Sequence, residues 1–244
     1  MALSDDLTPD ALARALGDRP VRTYPAVMST DADAVAWARA GGPAGAVVTA
    51  DYQAAARGRG GLPWTPRPGR DLCFSLLLRP QLAPDDEGWL FVAAAAAVVD
   101  AVDPAAAIEW PDQVWATERR LADVAGHAGL GPTGVEWAVV NLLVLDAPSP
   151  RGELIARLAA AVERLQEPDD AALARYRERC ATLGRPVRAH LIPTWPDGVQ
   201  ITGTATSVLR DGALVIEQPD GRRIAVRPQH LARLEPPDEI VPAL

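Results

Sequence analysis

The stretch from residue 72 to 78, closed by Pro80, constrains the fold most. It reads Leu72-Cys73-Phe74-Ser75-Leu76-Leu77-Leu78, a continuous apolar run without the polar alternation of a half-exposed strand. Such a run, short and followed by proline, predicts a central strand covered on both faces. Both covers must come from elsewhere in the chain. One is predicted at residues 89–102, where alanine dominates an apolar segment. Alanine favours helix and lets a helix approach its neighbours closely. A strand buried on two sides beside a buried helix implies an α/β (α+β) fold with layered packing.

Punctuation along the chain supplies the remaining elements. Residues 7–16 read as a helix with Thr8 as N-cap and Pro9 in its first turn. A short strand is predicted at 21–24, a helix at 31–40 stopped by Gly41-Gly42-Pro43, and a strand at 45–49. Residues 108–115 and 120–124 are predicted as the two strands of a hairpin, with 137–145 as a third strand. The Gly126–Gly131 segment, which contains His127, is predicted as a turn. Helices are expected at 152–165 and 169–183, the latter ended by Gly184 and Pro186. From residue 187 the texture changes to short strands at 199–209, 213–218 and 223–226. Their turns are Asp211-Gly212 and Asp220-Gly221, strong hairpin signals. We therefore expect a larger domain over 1–184, a small β-barrel over 185–237 and a loose tail over 238–244.

Charge and side-chain chemistry exclude several functions. The formal net charge is −8, which argues against a nucleic-acid or anionic-membrane surface. All 24 basic residues are arginine, so no lysine Schiff base, lysine general base or P-loop lysine exists in this chain. Two cysteines, Cys73 and Cys180, make neither a disulfide framework nor a zinc site. His127, His190 and His230 lack metal-ligand spacing, so no metal site is expected. With no apolar signal segment near Met1 and no apolar stretch of spanning length, a cytoplasmic location is the default.

Two segments carry chemistry. The first is Arg57-Gly58-Arg59-Gly60-Gly61, directly after a predicted strand. Glycines let a backbone approach a ligand, and paired guanidiniums suit a carboxylate or phosphate. An exposed flexible turn is the alternative reading of those residues alone. The second is Glu109-Trp110-Pro111-Asp112-Gln113, followed by Arg120-Leu121-Ala122-Asp123. Arginines on a loop are expected to carry few core contacts.

Together these segments resemble the biotin–protein ligase family. Gln53, the Arg/Gly loop, Trp64, Pro66, Gly69, Leu72, Ser75 and Arg79-Pro80 fall at the family's spacing. The resemblance runs from about residue 21 to 234. It implies a mixed sheet of the biotin/lipoate ligase type flanked by helices, then an SH3-like C-terminal β-barrel. It also implies activation of a small carboxylic acid, biotin or a relative, as an acyl-adenylate with ATP and Mg²⁺. Transfer to a lysine of a carrier-protein acceptor domain would follow. No winged helix is expected ahead of this region, hence no DNA-binding form of the family. Pairing with a second copy through the sheet edge is a family habit.

The resemblance assigns Ser29, Thr30, Gln53, Arg57, Gly58, Arg59 and Arg120 to the acyl ligand, with Arg59 and Arg120 as the catalytic cations. Trp64, Asp112 and Asn141 would face the nucleotide. Ser29-Thr30 read alone is more often a helix N-cap, and its position relative to Gln53 is what brings in the ligand role. Several positions depart from the family pattern. Glu109 and Arg120 stand where the family has lysines, Leu62 where it has an arginine, Asp31 and Asp112 where it has asparagines, and Asp123 where it has a glycine. Glu109 either faces the nucleotide and repels it or points to solvent from an edge strand. The alternative to a ligase is therefore a catalytically inactive homologue that binds a ligand or a carrier domain.

Overall fold

A computed structural model describes residues 3–192 and 198–237. The larger unit is built on a seven-stranded mixed sheet with strand order β1-β2-β3-β7-β6-β5-β4. Its strands are β1 (Val21–Val27), β2 (Val47–Gln53), β3 (Leu72–Leu78), β4 (Ala107–Glu109), β5 (Gln113–Ala116), β6 (Arg119–Leu130) and β7 (Val135–Val144). Only β1 and β2 run parallel; the other neighbours are antiparallel. The helices are α1 (Pro9–Leu16), α2 (Thr30–Arg39), α3 (Trp89–Val102), α4 (Arg151–Glu163) and α5 (Asp170–Arg179). The layered α/β architecture expected from the apolar run is the one observed. Among the described residues, no helix is long and apolar enough to cross a membrane.

Alternation along the central strands separates the two faces of the sheet. Phe74 and Leu76 of β3, Val140 and Leu142 of β7 and Val124 of β6 join α1, α3, α4 and α5 in the main core. On the other face, Leu77 and Val139 pack with Val48 beneath Ala34 and Ala38 of α2. One short helix cannot cover that whole face. Where its cover ends, the same alternation places Cys73, Ser75, Asp123, His127 and Asn141. A largely polar floor thus lies within an otherwise apolar sheet.

Two local expectations are corrected. Residues 108–115 do not form one strand: Pro111 has no N–H to give a ladder, and the segment folds back there as the β4–β5 hairpin. The stretch from Gly126 to Gly131 is not a turn. Strand β6 runs through it to Leu130, so His127 lies in the sheet opposite Val139. Glycine serves there by leaving room: a Cβ on Gly129 would sit 2.1 Å from the Trp137 indole. The expected tail over 238–244 lies outside the described residues.

The C-terminal unit is a five-stranded antiparallel sheet ordered β11-β10-β9-β8-β12. Its members are β8 (Pro186–Leu191), β9 (Gln200–Val208), β10 (Leu214–Glu217), β11 (Arg223–Val226) and β12 (Leu231–Glu235). Both Asp-Gly turns hold as expected, with Gly212 at φ 79° and Gly221 at φ 83°. Strands β8 and β12 were not expected. Among the described residues the strand order is open, with β11 and β12 at its edges.

Candidate functional site

Two polar clusters, one against the sheet and one at its edge, contain most of the residues singled out above. The first lies under the start of α2. Ser29 caps that helix, its side chain accepting from the Ala32 N–H at 3.4 Å. Thr30 donates its backbone N–H to Gln53 Oε1 at 2.9 Å, and its hydroxyl lies 3.2 Å from the same oxygen. Ser75 donates to the Thr30 hydroxyl at 2.9 Å, and Gln53 Nε2 reaches the Cys73 carbonyl at 3.5 Å. Ser29, Thr30, Gln53 and Ser75 are all buried. The capping reading of Ser29 is thus correct, and Thr30 and Gln53 come together although far apart in sequence.

Asp31 extends this cluster across the sheet. It accepts from Asn141 Nδ2 at 2.9 Å and stands 3.2 Å from His127 Nε2, an ion pair when the ring is protonated. The Asp31 carboxylate raises the His127 pKa above its ordinary value, against the opposing effect of burial. Asn141 is 2% exposed, and its Oδ1 has no hydrogen-bond partner among the described residues. Burial pushes the Cys73 thiol up to about 12, so Cys73 is an inert core residue.

The second cluster joins the Arg/Gly loop to the Trp-Pro turn. Arg59 Nε donates to Asp112 Oδ2 at 2.8 Å, and Arg59 Nη1 donates to the Leu231 carbonyl of the C-terminal sheet. Arg59 is 8% exposed. The expectation that loop arginines carry few core contacts is therefore wrong for Arg59, whose guanidinium ties three segments together. Arg57 does match it: the residue is exposed, with its backbone bridged to Pro63. Gly58 lies against the Trp64 indole, where a Cβ would fall 2.3 Å from Nε1. Trp64 therefore clamps its own loop in this structure.

The Trp-Pro turn is held from several sides. Trp110 is buried; its N–H meets Thr182 Oγ1 and its indole Nε1–H donates to the Gly212 carbonyl, both at 2.9 Å. Burial raises the pKa of Asp112, with Arg59 opposing the shift. One residue along β5, Gln113 pairs with Asp123 of β6. Arg120 Nη1 stands 3.5 Å from Asp123 Oδ1. The Asp123 side chain is 5% exposed and that of Arg120 41% exposed. Among the described residues Asp123 Oδ2 has no hydrogen-bond partner. Burial pushes the Asp123 carboxyl up to about 6; Arg120 opposes the shift and Asp112 adds to it.

Glu109 lies on the edge strand β4, half-exposed and 3.9 Å from Arg185 Nη1, so its charge already has a partner. It borders a cavity of about 260 Å³ between the β4–β5 hairpin and the C-terminal sheet, which Arg59, Asp112 and Arg233 also line. Sequence reasoning missed Arg185 and the Leu231 carbonyl. No local pattern marks either one, because both are delivered by the docking of the C-terminal unit. Among the described residues, no three His, Cys, Asp or Glu side chains stand close enough to hold a metal ion.

Comparison with known proteins places this arrangement in a class. The fold matches biotin protein ligases. The structure of the biotin protein ligase from Aquifex aeolicus in complex with biotin and ATP superposes with a TM-score of 0.65, covering 89% of this chain and 99% of that one at 17% identity. A biotin protein ligase-like protein of unknown function from Silicibacter sp. gives 0.60 over 93% and 98% at 16% identity. In sequence, the biotin--[acetyl-CoA-carboxylase] ligase of Mycobacterium tuberculosis is 29% identical over 225 residues, spanning 81% of this chain and 83% of that protein. No family model matches the chain. In sequence and in fold the chain is thus similar to biotin protein ligases.

Proposed function

We propose that this protein is a biotin–protein ligase, joining biotin or a related acid to a lysine of a carrier domain through an acyl-adenylate. The Arg59–Asp112 pair carries this reading. It closes the Arg/Gly loop onto the Trp-Pro turn across 53 residues of sequence, in a chain resembling a known ligase over most of its length. Ser29, Thr30, Gln53, Arg57 and Gly58 would hold the acid. Trp64, Asp112 and Asn141 would line the nucleotide side.

In the first step the acid's carboxylate oxygen attacks the α-phosphorus of ATP and pyrophosphate departs. In the second, the carrier amine attacks the acyl carbon and AMP departs. Both steps need the reacting ends aligned and their negative charge compensated in a site screened from water. Arg59 and Arg120 would be the cations in that role. Mg²⁺ would arrive on the triphosphate, as is usual for nucleotide sites. The described residues form no cage for it, and we assign it no step.

We read residues 1–184 as the catalytic-type domain and residues 185–237 as an SH3-like module, with the edge strand β1 as the place where a second copy would add. The test is ATP–pyrophosphate exchange dependent on biotin, followed by mass-shift analysis of a biotin carrier domain. Biotin-dependent exchange is expected. Its absence in folded protein across biotin, lipoate and medium-chain acids would remove the ligase reading. The inactive-homologue reading would then stand, favoured by one observation: both candidate catalytic arginines already have carboxylate partners within the chain.

A further inference from the structure

An arginine that serves a ligand anion is usually left a face to present. Arg59 is not so left, and Arg120, although half in solvent, has a carboxylate beside it. Arg59 spends Nε on Asp112 and Nη1 on the Leu231 carbonyl. Arg120 lies beside Asp123, and across the β5–β6 pair Asp123 faces Gln113, the residue after Asp112. The two carboxylates are close enough for each other's charge to be felt. Two guanidiniums and two carboxylates thus cancel on one patch of the cleft.

The two pairs differ in quality. Arg59–Asp112 is short, buried and aligned. Arg120–Asp123 is long, with Arg120 half in solvent and Asp123 deeply buried. One Asp123 oxygen has no hydrogen-bond partner among the described residues. Buried polar atoms without partners are uncommon and call for a reason. Asp123 therefore does not stabilise this fold well, and its effect falls on whatever approaches Arg120.

We propose that Asp112 and Asp123 are specificity-determining residues, built-in counter-ions that occupy Arg59 and Arg120 and hold down the affinity of the cleft for phosphate-bearing ligands. The assignment of the two arginines to the ligand rests on the ligase reading; the counter-ion role rests on the geometry. A phosphate reaching Arg120 meets the Asp123 carboxylate beside it.

Calorimetric titration with inorganic pyrophosphate tests this directly, in low-salt buffer at pH 7.5 without added metal. Asp123→Asn keeps the side-chain volume and removes the charge. It should tighten pyrophosphate binding about tenfold, the change expected from removing one like charge a few Å away. Arg120→Ala on that background should erase the gain. Glu118→Gln, which removes the same charge from an exposed position two residues before Arg120, should leave affinity unchanged. Asp112→Asn strips the partner from a buried arginine and can fail to fold, so the decisive variant is Asp123→Asn, with its fold checked by circular dichroism. Equal pyrophosphate affinity in the parent and folded Asp123→Asn overturns the proposal, as does a gain that survives Arg120→Ala. A gain in pyrophosphate binding without biotin-dependent exchange in any variant supports the counter-ion role and defeats the ligase reading instead.

Discussion

The molecule contains two buried arginine–carboxylate clusters that use the same chemistry with opposite outcomes. Behind the sheet, Arg151 at the start of α4 donates to both oxygens of Asp6, at 3.0 and 2.7 Å. It also reaches Asp51 Oδ1 at 3.2 Å and the Asp71 carbonyl at 3.4 Å. Asp51 accepts further from the N–H and hydroxyl of Ser4. Arg151 is 3% exposed, and the hydrogen bonds it donates hold Asp6 below its ordinary pKa, burial notwithstanding. In the cleft, Asp112 and Asp123 are both pushed up, and Asp123 keeps an unpartnered oxygen. A buried ion pair stabilises a fold only when its remaining hydrogen-bonding capacity is met. The cluster behind the sheet meets that condition and reads as structural. The cleft cluster does not, and reads as a site.

The comparison can be broken most severely at Arg151. Arg151→Met strands Asp6 and Asp51 as buried carboxylates, and we expect a loss of about 3–5 kcal/mol in urea unfolding. A loss under 1 kcal/mol would mean that the network is not structural.

A smaller effect sharpens the other side. The Asp123 carboxyl sits near 6 in the fold against 3.8 when unfolded, so the folded state binds more protons over the interval between. Stability contributed by this group therefore rises as pH falls through about 6 toward 4, the reverse of a salt-bridged aspartate. Between pH 7.5 and 5 the gain amounts to roughly 1–1.5 kcal/mol. Asp112, Glu87 and His127 are also raised and act in the same direction, so the quantity to measure is a difference. Parent minus Asp123→Asn should show that gain in urea titrations at the two pH values. Parallel pH dependence in the two proteins would place Asp123 in contact with water.

The smallest expected effect is at the surface. Arg70 meets Asp146 at 2.7 Å, but both side chains are well exposed. Exposed pairs contribute little because solvent screens them and ordering the side chains costs entropy. Arg70→Ala should leave the urea midpoint unmoved. A clear shift would show that partnering, rather than burial, separates the two clusters described above.

Much of this architecture was legible in the order of residues. The apolar run at 72–78 became a strand buried on both faces, and the alanine-rich segment at 89–102 became a buried helix. Both Asp-Gly turns were readable because a tight hairpin demands a residue that accepts positive φ. The spacing from Gln53 through Trp64 to Trp110-Pro111 pointed to the family, and the charge departures at Asp112 and Asp123 were visible as departures. Other features had no local signal. Gly126 and Gly129 read as a turn, yet they continue a strand because the Trp137 ring needs the space beside Gly129.

The partners of the charged residues belonged to the tertiary structure alone. Arg59 meets Asp112 across 53 residues and Leu231 across 172, distances that no periodicity spans. Glu109 finds Arg185 only because the C-terminal sheet docks against the β4–β5 hairpin. Local sequence determines which segments become strands, helices and turns, since those choices depend on the residue and its near neighbours. Whether an arginine faces a ligand or one of the chain's own carboxylates depends on which surfaces meet when the two sheets close, and only the folded structure decided that.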